Sequence, residues 1–269
     1  MIDTSLWFLF PVGIGIATIA MMAGIGGAVL FAPFFMLVLK LDPLLALGAG
    51  LVIEFFGFSS GVIGYWRRGA INFHIVKQLI VLTVPATVVG VVLGRLFPAF
   101  VLQSLLALLL FYLAYQFLLR GKECLPKHPK HTGASAELKK EATSVATRIT
   151  SFFGGLSIGM ISAGLGELNE YNFLQRMKLP VATASATSVF LVAMSATIGS
   201  IFHAYFFFQE GNPAVFSRIL SLLVFTVPGV ITGAQFGVFL SGIINVNVMG
   251  KFIGTLFGVL GILTLFLIF

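Results

Sequence analysis

Uncharged apolar runs as long as a bilayer is thick dominate this sequence. One of them, from Phe8 to Leu39, has 32 residues without a single Asp, Glu, Lys or Arg. A helix needs about 20 apolar residues to cross the hydrocarbon core of a membrane. Further largely apolar runs follow at 44–66, 76–96, 100–119, 152–174, 180–208, 218–240 and 249–269. We therefore expect an all-α polytopic membrane protein with about four hydrophobic segments in each half of the chain.

The composition and the distribution of charge agree with this class. Of the 269 residues 58% are hydrophobic and 9% are charged, whereas a soluble domain keeps a larger polar exterior. The net charge of +7 does not indicate a nucleic-acid partner, because seven of the sixteen Lys and Arg residues lie at positions 120–148. Basic residues that cluster beside membrane segments are orientation signals and face the cytoplasm. We expect a multi-pass protein of the cytoplasmic membrane, surrounded by lipid.

This basic connection separates two similar halves. We expect a first transmembrane repeat at 1–120, a polar cytoplasmic linker at 121–149 and a second transmembrane repeat at 150–269. A Thr-Val-Pro motif with two later glycines recurs with the same spacing in both halves, at Thr83, Gly90 and Gly94 and at Thr226, Gly233 and Gly237. A repeat of this kind indicates an internal duplication, which is common in transporters.

Glycines interrupt the first apolar segment of each half. The first interruption is Gly24-Ile25-Gly26-Gly27, and the second is Gly164-Leu165-Gly166-Glu167. The first segment is too long for one crossing and short for two, so it forms either a helix with a half-helix or a re-entrant hairpin. Spanning segments would give four crossings in each half and parallel repeats, whereas hairpins would give three crossings and inverted repeats. We favour inversion, which places Arg176 and Lys178 on the cytoplasmic side.

The two interruptions are candidates for a substrate site. A half-helix that starts after a break presents unpaired N–H groups and a positive dipole end, which bind anions without Lys or Arg. The alternative for the glycines is close helix packing. The candidate substrate-binding residues are Gly24, Gly26, Gly27, Gly164, Gly166, Glu167, Asn169, Thr187 and Ser188.

Three carboxylates lie inside apolar segments: Glu54, Glu167 and Glu170. A carboxylate inside a bilayer must face a cavity, find a partner or take up a proton, so all three are candidates for proton coupling. Glu167 has a structural alternative, which is to cap the first turn of the helix after the break. Glu54 is either a proton relay or the partner of a polar group on a neighbouring helix. The three could instead be ligands for a cation or a neutral solute, or serve a membrane enzyme that acts on lipid.

The sequence gives little support for a disulfide, a metal site or hydrolase chemistry. The single Cys124 excludes an internal disulfide and any cysteine-based metal site. The tract 127–131 holds two histidines beside lysines and a proline, which fixes no coordination geometry. The pentapeptide 57–61 matches G-x-S-x-G but sits inside a predicted transmembrane helix, so it is a chance match to the hydrolase motif. We expect no enzyme activity, no metal and no cofactor.

Several of these motifs together resemble one family. Gly-Ile-Gly-Gly at 24–27 with Pro33, Gly-Leu-Gly-Glu-Leu-Asn at 164–169, and Ala-Ser-Ala-Thr-Ser at 184–188 after Pro180 resemble the TauE/SafE family of sulfite/organosulfonate exporters, also called the toluene-sulfonate uptake permease family. The chain departs from the commoner glycine pattern at Ala28 and Glu167. The resemblance implies a secondary transporter that exports small sulfur-containing anions such as sulfite or an organosulfonate. The paired breaks suggest alternating access around a midplane site.

Overall fold

The computed structural model describes residues 3–23, 25–119, 144–209, 213–240 and 246–266, and this part of the chain contains helices and no strand. A short 3-10 helix, Thr4–Phe8, leads into the first half, which consists of α1 (Leu9–Ala23), α2 (Ala28–Val38), α3 (Pro43–Arg67), α4 (Phe73–Leu96) and α5 (Ala99–Leu119). The second half consists of α6 (Val145–Ile161), α7 (Leu165–Gln175), α8 (Val181–Gln209), α9 (Pro213–Leu240) and α10 (Val246–Phe266). The predicted all-α fold is confirmed.

Six helical segments of the described residues are long and apolar enough to cross a membrane. They are Thr4–Met22, Pro43–Arg67, Phe73–Leu96, Ala99–Leu118, Val181–Gln209 and Val215–Leu240. The shorter helices include α2 and α7, which have 11 residues each; α2 follows the first glycine interruption, whereas α7 begins inside the predicted second one, directly after Gly164. At 1.5 Å per residue, 11 residues extend about 16 Å, roughly half of the hydrocarbon core. The chain is therefore a multi-pass protein in which each half contains one short, buried helix.

Local signals explain where the helices begin. Pro43 opens α3, and the side chain of Asp42 accepts a hydrogen bond from the backbone N–H of Leu44. Ser144 caps α6, which begins at Val145 and so includes the last residues of the predicted 121–149 linker. The rest of that linker, with Cys124 and the histidine tract at 127–131, lies outside the described residues.

The first helix of each half packs along the fourth helix of the other half. Three glycines of α9 lie so close to α1 that a Cβ atom on any of them would collide with a backbone carbonyl oxygen, Gly229 with Phe10, Gly233 with Ile14 and Gly237 with Thr18. Gly90 of α4 meets the Leu156 carbonyl of α6 in the same way. The glycines of the repeated Thr-Val-Pro motif thus serve the same close packing in both halves.

Helices that occupy the same place in the two halves cross in opposite directions. Gly48 and Leu51 of α3 lie beside His203 and Gly199 of α8, so the residue numbers fall on one helix as they rise on the other. The same holds for α5 and α10, where Ala114 and Phe111 lie beside Gly258 and Gly261. The helices α3 and α5 therefore run antiparallel to α8 and α10.

Each short helix returns toward the end of the molecule from which its hairpin started. In the second half Ser151 of α6 donates to Asn169 of α7, and Asn172 of α7 donates to Thr147 near the start of α6. In the first half the backbone N–H of Asp3 donates to Ser221, and Arg218 donates to the carbonyl of Leu39, so both ends of the segment meet the start of α9. The pairs α1–α2 and α6–α7 are hairpins of two unequal helices.

Candidate functional site

The two interruptions come together in the interior of the protein. The backbone N–H of Gly26, in the first break, donates to Oε1 of Glu167 at 2.8 Å, although the two residues are 141 positions apart. The second break turns at Ser162 and Gly164, whose φ angles are 54° and 107°. Glycine at position 164 fits this turn because side chains with a Cβ rarely adopt that conformation. Gly26 of the first half and Gly164 of the second half therefore both lie at the Glu167 carboxylate.

Glu167 bridges the breaks. While Oε1 accepts from Gly26, Oε2 accepts from the backbone N–H of Gly164 at 3.0 Å. Glu167 stands at the third position of α7, where a carboxylate satisfies free amides and favours the positive end of the helix dipole. Its side chain is only 2% exposed. Glu167 therefore caps the first turn of α7, which was the structural alternative considered for it, and the same carboxylate also binds Gly26 of the first half.

Glu54 approaches the same place from the middle of α3. Its Oε1 accepts from the backbone N–H of Ala28, the first residue of α2, at 3.4 Å. A Cβ atom on Gly26 would lie 2.9 Å from Oε1 of Glu54 and 3.0 Å from Oε1 of Glu167. The two carboxylates therefore flank one glycine. Oε2 of Glu54 has no hydrogen-bond partner among the described residues, although the side chain is 2% exposed.

No basic side chain balances this pair within the described part of the chain. The hydrogen-bond donors to these carboxylates are backbone amides at the breaks: Ala28 for Glu54, and Gly26 and Gly164 for Glu167. The described residues contain no group of three or more His, Cys, Asp or Glu side chains that could hold a metal ion. The positive electrostatics beside these carboxylates thus come from backbone amides at the starts of α2 and α7.

The remaining polar candidates lie one to two turns along α7 and on α8. Ser188 donates to the carbonyl of Gly166 at 2.8 Å, which ties α8 to the first turn of α7. Glu170 accepts a short hydrogen bond from Ser185, and its second oxygen has no partner among the described residues. Glu170 therefore belongs to the α7–α8 contact and not to the two breaks.

Some predicted site residues face other partners. Asn169 accepts from Ser151 of α6 at 2.7 Å. Thr187 donates to the carbonyl of Thr183 at 2.6 Å and accepts from the backbone N–H of Asn72 at 3.1 Å, so it supports the start of α4. A Cβ atom on Gly27 would touch only the apolar side chains of Ala20, Phe31 and Phe58. Gly24 lies outside the described residues.

Two hydroxyl residues that sequence reasoning missed, Thr147 and Ser151, hold the polar side of α7. Thr147 accepts from Asn172 at 3.1 Å, and Ser151 donates to Asn169. The two hydroxyl residues are four positions apart and so share one face of α6. The sequence did contain a signal for this contact: two hydroxyl residues four apart on α6 match two asparagines three apart on α7, so each pair shares one helix face.

One small cavity adjoins the first break among the described residues. A cavity of about 10 Å³ borders Glu54 and Gly27 and is otherwise lined by apolar residues such as Phe31 and Phe58. That volume holds about one water molecule. Larger cavities of about 410 and 270 Å³ open at the end of the first hairpin, where Arg218 lines both.

Comparisons with known proteins point to one class. The family model described as "Sulfite exporter TauE/SafE" matches residues 9–264. The chain is 24% identical over 229 residues to the "Probable membrane transporter protein YjnA" of Bacillus subtilis (strain 168), which covers 83% of this chain and 87% of that protein. It is 21% identical over 211 residues to the "Probable membrane transporter protein YunE" of the same organism, covering 72% of this chain and 77% of the relative. No solved structure matches the chain.

Proposed function

The chain belongs to the TauE/SafE sulfite exporter family of membrane transporters, and on that premise we propose that it exports small sulfur-containing anions, sulfite or an organosulfonate. The proposed route is alternating access around a site between the two breaks. The substrate-binding groups would be the backbone amides of Gly26 and Gly164, with Gly166 and Ser188 holding the start of α7 in place.

One observation carries this proposal. A carboxylate, that of Glu167, is held by one backbone amide from each half of the protein, at 2.8 and 3.0 Å. A carboxylate and a sulfite or sulfonate group share the same recognition chemistry, because each spreads negative charge over oxygen atoms that accept N–H hydrogen bonds. The geometry that binds Glu167 would bind the oxygens of such a substrate as well.

The arrangement of the halves supports alternating access. The pairs α3/α8 and α5/α10 run antiparallel, as equivalent helices do in inverted-repeat transporters whose sites lie at the repeat interface. We infer that the halves are inverted in the cytoplasmic membrane, with the 121–149 linker on the cytoplasmic side. Movement of one half against the other would then open the breaks to each side in turn.

A coupling proton is part of the proposal. Glu167 and Glu54 lie at the breaks, so protonation of either would change the charge beside the bound anion, and Glu170, one turn along α7, is a more distant candidate. Sulfite flux by the native protein in proteoliposomes should therefore respond to an imposed pH gradient. Flux that does not change with the pH gradient would contradict proton coupling without contradicting the proposed anion site.

The transport test uses two matched glycine variants of the first broken segment. A Cβ atom at Gly26 meets two carboxylate oxygens, whereas a Cβ atom at Gly15 of α1 meets nothing within 4 Å. Gly26→Ala should lower the flux of labelled sulfite at least about tenfold. The added methyl group would displace the two carboxylates, and the loss of their hydrogen bonds to the break amides is worth at least that factor. Gly15→Ala should transport like the native protein. Equal flux in both variants would contradict the proposal.

A second candidate function has one observation in its favour. Two buried carboxylates flank Gly26 without a basic partner among the described residues, an arrangement that suits a cation or an amine as well as a proton. Glu170 does not join them, because it is held by Ser185 on α8. Flux of sodium or of a small amine, with sulfite neither carried nor competing, would support this alternative over the anion.

A further inference from the structure

We propose that Glu167 is a tethered substitute for the substrate anion, which lets the carrier return across the membrane without cargo. This inference rests on the proposed function and concerns how the same site is used. In this account the substrate and the Glu167 carboxylate alternate on the amides of Gly26 and Gly164. The protein would therefore catalyse net transport and would not depend on exchange of one anion for another.

The amides of Gly26 and Gly164 need an acceptor. Both belong to chain interruptions in a buried region, where a backbone N–H without a partner is strongly disfavoured. Glu167 supplies both of its oxygens to them and is itself only 2% exposed. The closed arrangement of the breaks thus depends on an anion between the halves, and the chain provides one.

Glu54 brings a second carboxylate to the first break, on the neighbouring amide of Ala28. It also points at the first break, with Oε1 on the Ala28 amide and with Oε2 unpaired among the described residues at 2% exposure. It lies beside the same Gly26 that Glu167 contacts. Negative charge therefore approaches this amide cluster from two helices of different halves, as expected of a cluster that is built around an anionic group.

These contacts have a consequence for the transport cycle. When a substrate anion takes the amides, Glu167 must leave them, because the two amides cannot be shared by two anionic groups without strong repulsion. When the substrate leaves, Glu167 can return and restore the contact between the halves. A carrier without this group would close well only around bound substrate, and it would be confined to exchange.

The experiment compares two modes of transport in proteoliposomes that are loaded with labelled sulfite. Efflux into sulfite-free buffer measures net transport, and efflux into buffer with unlabelled sulfite measures exchange. The native protein should release label in both buffers. In Glu167→Gln the side chain has one oxygen that accepts and one NH₂ group that donates. Its oxygen can serve one of the two backbone amides, but its NH₂ group would face the other amide, donor against donor.

Glu167→Gln should lose net efflux about tenfold or more and keep exchange within about twofold of the native rate. Retained exchange also shows that the variant is folded. The control is Ser200→Ala, which removes a buried hydroxyl that donates to the Leu51 carbonyl away from the breaks, and it should leave both modes near native.

Each other outcome overturns a defined part of the account. If Glu167→Gln keeps net efflux, or loses both modes while it still binds sulfite, Glu167 is not a substitute for the substrate. A native protein that releases label only into sulfite-containing buffer contradicts the inference without any variant, and this result covers the case of a variant that does not fold. If the native protein carries no sulfite in either buffer, the proposed function fails first.

Discussion

The two short helices that come after the breaks occupy the same place in the two halves and have opposite chemistry. Both have 11 residues and begin after a glycine. At the third, fifth, sixth and eighth positions α2 has Leu30, Ala32, Pro33 and Phe35, whereas α7 has Glu167, Asn169, Glu170 and Asn172. All of these residues are buried. The same architecture is thus held by apolar packing in one half and by hydrogen bonds in the other.

The difference indicates a division of labour. In α2 the buried Phe31 and Phe35 anchor the helix, and the amides of Gly26 and Ala28 at its start donate hydrogen bonds to carboxylates from elsewhere. In α7 the side chains provide the carboxylate that spans both breaks and the polar contacts that position it. In the proposed cycle the first half would contribute the Gly26 amide, and the second half would contribute the Gly164 amide and the carboxylate that exchanges with substrate.

The largest expected effect comes from the eighth position of each short helix. Phe35→Ala should lower the free energy of unfolding by about 3–5 kcal/mol, because it leaves a cavity around a fully buried ring. Asn172→Ala should cost only about 1 kcal/mol, for one hydrogen bond to Thr147 at 3.1 Å. Unfolding of purified protein in mixed micelles gives both values. Equal losses would contradict the distinction between apolar and polar anchoring.

The glycines that cap the two helices sharpen the comparison. Gly164 has a φ of 107°, and a Cβ atom there would lie 2.7 Å from Oγ of Ser157, so Gly164→Ala should cost about 1–3 kcal/mol. Gly27 has a φ of −65° and meets only ordinary contacts, so Gly27→Ala should change stability by less than about 0.5 kcal/mol. The same unfolding assay tests the pair, and a loss at Gly27 that matches Gly164 would sink this explanation.

A smaller effect is expected at the contact between α7 and α8. Ser188→Ala removes the hydroxyl that donates to the Gly166 carbonyl at 2.8 Å, and the loss should be about 1 kcal/mol because the carbonyl keeps its place in the helix. A contact between α8 and the first half provides the comparison, since Ser200→Ala removes a similar hydroxyl bond of 3.1 Å outside the site. Sulfite flux should fall in Ser188→Ala and not in Ser200→Ala, although their unfolding energies are similar.

The smallest effect lies at the outer end of the first hairpin. Hydrogen bonds from Ser5, together with the nearby Arg218, hold the pKa of Asp3 below its ordinary value of 3.8. A carboxyl group with a lowered pKa in the folded protein stabilises the fold above its unfolded pKa, and this contribution is lost as the pH falls through the folded value. Asp3→Asn should therefore slightly flatten the loss of stability below about pH 4. An unchanged acid profile would exclude a role for this group.

The helical class and the presence of one interruption at the corresponding place in each half follow from the sequence, because they depend on local composition. Runs of apolar residues set the helices, and Gly26 and Gly164 mark breaks at corresponding points of the two halves. The partners across the breaks do not follow from the sequence. Gly26 meets a carboxylate 141 positions away, and that contact depends on how the packed helices of both halves position α2 and α7.

Side-chain direction was the other property that local patterns did not determine. Asn169 lies close to the second break along the chain and Thr187 lies in the first turns of α8, yet they turn to α6 and to the start of α4, because those neighbours offer Ser151 and the Asn72 amide. Periodicity predicts which residues share a helix face, but it does not predict which neighbour that face meets. The Glu54 contact with Ala28 was open for the same reason, since its partner belongs to another helix.

Substrate binding where the two breaks meet at Gly26 is the central claim. Calorimetric titration of the purified protein with sulfite tests it directly, with Gly26→Ala as the disrupted site and Gly15→Ala as the matched control on the exposed side of α1. Sulfite should bind to the native protein and to Gly15→Ala, and at least about tenfold more weakly to Gly26→Ala. Undiminished binding by Gly26→Ala would contradict the claim.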